Sequence, residues 1–412
     1  MQPTHSGKCD WAELSDIDVG REGKMPRFFD WANQHSTGAL SRGLFWGAAL
    51  AVGLGFADAR ADQFPPPIPA PPSVANNPAG AAGRPVPLAP IGIFGANQPN
   101  ANQFVLSEIS AYSRSDGNLI GTNSVSPNYI VSNILSNRTP VPGNHLLRVA
   151  PLNGQAYGQF VSLAYGITDK FAVVAVGGWL HKEKELETFK GSAGTTVLGT
   201  STPYTRGFSD TTVAGLYRIY QDPMNAITVG LGIGIPTGNF SNYWTPLSPA
   251  GTYPSKVAVY GMQEGSGSVT ALPAIAYTGV LNQWAWGLAY RAALPLDYNS
   301  NGWRFGDLHT ASAWGGYSWL PGFMTTLRVG ATTQSSIRGS SPAILGYAEG
   351  NVPAFAGGQW VDVNLGVTAS GALVGIPRLT IQAEAGLPVY QNLYGPQAAS
   401  QWSGVIRTQY RF

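Results

Sequence analysis

The sequence predicts an all-β chain: a transmembrane antiparallel up-and-down β-barrel of about 12 strands, preceded by a signal peptide and a Pro-rich tether. Three observations carry that expectation. Charged residues make up only 11% of the chain, against about 25% in a typical soluble protein. Apolar residues alternate with small or polar ones over long stretches, the period of a strand with one apolar face. The connections between those stretches alternate short and long, as a barrel with tight turns at one rim and loops at the other requires.

The N-terminus comes first. Arg42 precedes the apolar run Gly43 to Phe56, and Ala59-Arg60-Ala61 follows as a small-x-small cleavage site. Residues 1–61 therefore read as leader and signal peptide, with Met25 as an alternative start and cleavage assigned to Ala59 and Ala61. The only cysteine, Cys9, lies in that segment, so disulfide and thiol chemistry are not expected in the mature chain. Residues 62–100 begin "DQFPPPIPAPPS" and read as a semi-rigid periplasmic tether. Its alternatives are a partner-binding arm and a plug folding into the barrel.

Residues 101–412 read as the barrel, with the first strand beginning near Phe104. In "NAITVGLGIGIPTG" Ile227, Val229, Leu231, Ile233 and Ile235 share one face while Thr228, Gly230, Gly232 and Gly234 share the other. "QWAWGLAYRAAL" and "RLTIQAEAGL" alternate in the same way. Short connections are "GITDK", "YQDPMN", "TGVLN", "WLPG" and "SGALVGIP"; the others are longer, with "DYNSNGWR" and "PVYQNLYGPQAAS" their shorter members. Lys182 and Lys184 are assigned to a loop. Trp284, Tyr290, Trp314, Trp402 and Tyr410 are candidates for interfacial aromatic girdles.

Charges inside strands fall on the non-apolar parity. Lumen-lining candidates are Asp210, Arg218, Arg291, Asp307, His309, Arg328, Asp362, Glu384 and Arg407. A lattice of both signs can brace a barrel from inside or orient a passing solute. The last strand, "QWSGVIRTQYRF", places Trp402, Tyr410 and Phe412 on the lipid parity and Arg407 on the other. An aromatic C-terminal residue there resembles the signal by which the outer-membrane assembly machinery selects its clients.

No enzyme is expected. The mature chain has His145, His181 and His309, none in a nucleophile or metal-ligand spacing. No cofactor is expected either, since there is no CxxCH and only Met224, Met262 and Met324 follow the leader. Basic and acidic residues nearly balance beyond the leader, which gives no footing for nucleic acid.

Several phrases in order, "YGITDKFAVVAVGGWL", "GFSDTTVAGLYRIYQD", "GLGIGIPTGNF", "MQEGSGSVTALPAIAYTG", "NGWRFGDLHTASAWGGYSW" and "GLPVYQNLYGPQ", carry a family resemblance. Over most of residues 150–412 the chain resembles the outer-membrane β-barrel family labelled MetA-pathway of phenol degradation. The resemblance implies a barrel in the outer membrane that moves small, often aromatic or hydrophobic, compounds; it supplies no binding residues. The expectation is thus a channel or transporter whose partners are outer-membrane lipid, the assembly machinery and a small solute. The alternative is a non-transporting barrel whose Pro-rich arm binds a periplasmic partner.

Overall fold

In a computed structural model, residues 88–136 and 146–412 are described. The leader, its cleavage site at Ala59 and Ala61, most of the Pro-rich segment and His145 lie outside the described residues. Eleven antiparallel strands close into a ring, in chain order: β1 (Phe104–Gly121), β2 (Val149–Gly166), β3 (Phe171–Phe189), β4 (Thr211–Gln221), β5 (Asn225–Ile235), β6 (Thr270–Leu281), β7 (Trp284–Pro295), β8 (Leu308–Leu320), β9 (Phe323–Gln334), β10 (Gly358–Ser370) and β11 (Leu379–Arg411). Each pairs with the next, and β11 returns to β1. Closure leaves no open sheet edge, so the main-chain groups of the wall pair largely with one another.

The count differs from the twelve expected segments because β11 holds two of them. Residues 380–393 lie antiparallel to β10, whereas 393–411 lie antiparallel to β1. Positions around an antiparallel ring alternate in direction, so one straight strand cannot satisfy both neighbours. The chain doubles back inside β11, where the Gln391 side chain donates to Ser400 O at 3.0 Å and accepts from Ser400 N at 2.9 Å. The stretch "PVYQNLYGPQAAS", expected as an outer connection, is therefore mostly strand.

Turn chemistry explains the tight rim. Between β8 and β9, Pro321 precedes Gly322 at φ 94°, the pairing a type II turn demands. Between β6 and β7, Asn282 takes φ 54°, which asparagine tolerates better than most residues. The other rim carries the long connections, with a helix (Pro127–Asn133) capped by Ser126 and short strands such as Val197–Ser201 and Tyr204–Phe208 added beside β3.

Parity sets the two faces. Leu231, Leu365 and Leu387 are 66%, 63% and 60% exposed, while their neighbours in the strands turn inward. Such a surface buries no apolar area in water and is matched to lipid. No helix among the described residues is long and apolar enough to cross a membrane.

Candidate functional site: a two-sided lumen and its internal segment

The ring's inner wall has two chemically different sides. Along β1–β4 and β6 it is apolar: Val105, Ile109, Phe160, Val174, Val176, Leu216 and Leu272 share one buried cluster. Along β9–β11 it is polar and charged. Arg328 donates from Nε to Glu384 Oε1 at 2.7 Å and places Nη2 2.5 Å from the same oxygen, with both side chains 1% exposed. Arg407 donates to Gln382 Oε1, and Gln382 donates to Thr368 Oγ1 at 2.9 Å. Asp362 and Asn364 complete this side from β10.

Between the two sides lies the chain itself. Residues 88–100, expected as the end of a periplasmic tether, are packed within the ring; Ala89, Ile91, Ile93, Phe94, Asn97 and Gln98 are all buried. Its apolar residues Ile91, Ile93 and Phe94 pack against apolar residues of the inner wall. Ile91 and Phe94 join the β1–β6 cluster, while Ala89 and Ile93 join a second with Ala276, Ala285, Trp314 and Met324. On the polar side, Gly92 N donates to Glu384 Oε2 at 3.4 Å and Gln382 donates to Ala89 O at 3.2 Å.

The segment is a knuckle that holds its own shape. Ile93 N bonds Pro90 O at 3.2 Å, and the Asn97 side chain accepts from Ala89 N and donates to Ala89 O at 3.2 and 3.0 Å. Gly95 turns it back at φ 82°. Two glycines make the close approaches possible. A Cβ on Gly92 would sit 2.6 Å from the Arg328 guanidinium carbon, and one on Gly166 would sit 1.8 Å from Asn100 O. The knuckle then leaves at the short-turn rim, where Asn102 N bonds Gly166 O and Ala101 N bonds Asp169 Oδ1.

Loops at the long-loop rim fold inward. Lys182 and Lys184, expected in a loop, extend β3 and point into the ring. Lys182 donates to Gly261 O and Gln263 O at 2.9 and 2.6 Å, and Lys184 meets Glu349 at 2.6 Å. Tyr260, Trp303, Ile337 and Ile344 form a buried layer in the same loops. Beside them Glu264 is 2% exposed; burial pushes its carboxyl up, opposed by the charge of Lys182.

The expected lumen residues divide into four sets. Arg328, Asp362, Glu384 and Arg407 come together on the polar side. Arg291 belongs to β7 and is half-buried, and Arg218 sits at the short-turn end of β4, bonding Asp169 O at 3.1 Å and Gln221 at 2.9 Å. Asp210 and Asp307 work in the loops: Asp210 accepts from Gly238 N, Ser266 N and Ser266 Oγ, and Asp307 pairs with Arg338 at 2.7 Å. His309 does not face the lumen. It lies opposite Ala292 on the outward parity, with its ring stacked on exposed Tyr290 and Nδ1 2.8 Å from that hydroxyl. Trp314, expected in a girdle, is buried inside, because its outward neighbours in β8 are Ala311 and Ala313. At the seam Trp402 meets Tyr112 at 5.0 Å between ring centroids, Tyr410 meets Phe412 at 5.0 Å, and Phe412 N bonds Phe104 O at 2.9 Å. Among the described residues no three His, Cys, Asp or Glu side chains gather as a metal site.

The internal segment is what sequence reasoning underweighted. Its signal was the placement of Ile91, Ile93 and Phe94 directly before the first strand, in a stretch whose prolines suggested open extended chain.

No known family's sequence profile matches the chain, and no curated protein matches it. The likeness to the phenol-degradation family therefore stays one of motifs. Among solved structures the chain is similar to an outer membrane channel from Pseudomonas putida F1, at 12% identity and a TM-score of 0.48, covering 82% of this chain and 100% of that one. It is also similar to the toluene transporter TodX of P. putida, at 13% identity and a TM-score of 0.38 over 76% and 91% of the two chains. The transport unit of the autotransporter AIDA-I from Escherichia coli gives 8% identity and a TM-score of 0.41 over 75% and 90%.

Proposed function

We propose that the chain is an outer-membrane channel of a Gram-negative bacterium, passing small hydrophobic or aromatic molecules. The observation that carries this reading is the apolar side of the lumen wall. A passage for ions or sugars is served by a hydrated, polar lining, whereas Val105, Ile109, Phe160, Val176 and Leu216 together offer a surface that water leaves readily. The Arg328–Glu384 and Arg407–Gln382 contacts brace the opposite side and keep the ring from collapsing onto the apolar one.

Export through a signal cleaved at Ala59–Ala61 and insertion by the outer-membrane assembly machinery, with Trp402, Tyr410 and Phe412 as its recognition feature, belong to the same proposal. N-terminal sequencing of membrane-extracted protein checks the first. Deleting Phe412 checks the second, with reduced membrane levels as the expected outcome.

The test of transport is toluene flux into liposomes holding the purified chain, beside planar-bilayer conductance, with and without residues 88–100. Flux in the wild type, increased on removal of the segment, is expected. No flux and no conductance in either form sinks the reading. A second reading, a barrel that carries nothing and whose Pro-rich arm binds a periplasmic partner, is favoured by the occupied lumen and would be supported by that silent outcome.

A further inference from the structure

The Phe94 ring occupies a slot that the wall leaves for it. A Cβ on Gly230 would lie 2.8 Å from a Phe94 ring carbon and 3.0 Å from Leu216, so any other residue at 230 would push the ring out. Gly230 is on the inward parity of β5, beside Leu216 of β4, and both walls of the slot are apolar. The segment's attachment to the polar side is slight by comparison. Among the described residues its direct hydrogen bonds there are two, at 3.4 and 3.2 Å, against three that close the knuckle on itself. Its internal bonds, Asn97 to Ala89 and Ile93 to Pro90, hold the knuckle together without help from the wall. A unit that keeps its own shape and is held mainly by apolar packing is one that an apolar competitor displaces.

We propose that the slot beneath Phe94, lined by Gly230 and Leu216, is a binding site for a flat monocyclic aromatic hydrocarbon, and that Phe94 occupies it as an internal stand-in. This rests on the transport reading above and specifies its solute class and first stop. Solute and Phe94 compete for one place, so the resting chain keeps the site filled and water out. Arrival of solute lifts the ring, and with it the knuckle, off the wall. The apparent affinity of the resting chain is lowered by the fraction of time the slot is closed.

The test uses the purified full chain in detergent micelles with fluorobenzene as the probe, read by 19F NMR. Partition into micelles is common to all forms and cancels in their comparison. Three forms are measured: wild type, Phe94→Ala, and Phe94→Ala with Gly230→Leu, each checked for the heat-modifiable electrophoretic mobility of a closed barrel. Phe94→Ala is expected to bind about tenfold more tightly, since a buried aromatic competitor has been removed. Gly230→Leu fills the slot and is expected to cancel that gain. Equal binding by wild type and Phe94→Ala overturns the proposal, as does a gain that survives Gly230→Leu. If Phe94→Ala loses the closed-barrel mobility, Phe94→Val is put to the same criteria. Toluene flux through the wild type decides the transport reading separately, so a barrel that conducts hydrocarbon yet gains nothing from Phe94→Ala overturns only the slot.

Discussion

The two sides of the lumen wall solve the same problem by opposite means. On the β1–β6 side the interior is filled by Phe160, Ile109, Val176 and their neighbours, which gain by leaving water and need no exact partner. On the β9–β11 side it is filled by Arg328, Glu384, Arg407 and Gln382, each of which must be paired because a lone buried charge or amide is expensive. The first side tolerates a change of occupant and the second does not. The internal segment respects that difference, resting its rings on the tolerant side and touching the exacting one with two main-chain bonds.

The largest effect should come from breaking the exacting side. Arg328→Met removes the direct ion-pair partner of buried Glu384 and should cost about 3–5 kcal/mol in unfolding free energy. Urea unfolding in lipid vesicles measures it, and adding Glu384→Met should restore most of the loss. Phe160→Ala on the tolerant side opens a cavity and should cost about 3 kcal/mol in the same assay. A second change cannot repair that loss as it does for a broken pair. Between the two sides, Gly95→Ala forces a side chain into the left-handed region at φ 82°. It should cost roughly 1–2 kcal/mol, confined to the knuckle. Hydrogen exchange at residues 89–97 should quicken while β1 and β11 stay protected.

The smallest effect is at the rim of the tolerant side, in the β4–β5 turn. The Tyr220 hydroxyl donates to Asp222 at 2.7 Å, and the N–H groups of Met224 and Asn225 also donate to it, holding its carboxyl at about 2. A carboxyl lowered on folding stabilises the turn at neutral pH and loses that contribution as pH falls from its ordinary value of 3.8 toward 2. Asp222→Asn should flatten this slight pH dependence in a thermal melt across that window, and an unchanged slope would count against it.

Much of the wall was legible because a strand with one face in lipid must repeat with period two. β5 shows this most plainly, with isoleucine, valine and leucine out and glycine or threonine in. Three features escaped that logic. β3 runs on through "HKEKELETF", where neither face meets lipid and the alternation becomes one of charge; Lys182 and Lys184 then look like loop residues until Gly261, Gln263 and Glu349 are seen folding in to meet them. The inward side of Trp314 was hidden because β8 puts alanines at its lipid-facing positions and its bulk inside. The knuckle was hidden for a third reason: its partners range from Val105 and Ile109 of nearby β1 to Gln382 of β11, 293 residues from Ala89, and no local pattern announces a surface that exists only once the ring has closed. Of the candidate site, Arg328, Asp362, Glu384 and Arg407 were readable as charges on strands; Phe94 and Gly230 were not readable as a pair.

The knuckle turns back on itself at Gly95, and both its arms, at Ala89 and Asn100, lie toward the short-turn rim. Between Ala89 and Asn97 the chain is therefore a bight, closed on itself and not drawn out straight. Such a bight rests against the wall and is not woven into it, so the seam between β1 and β11 closes without it.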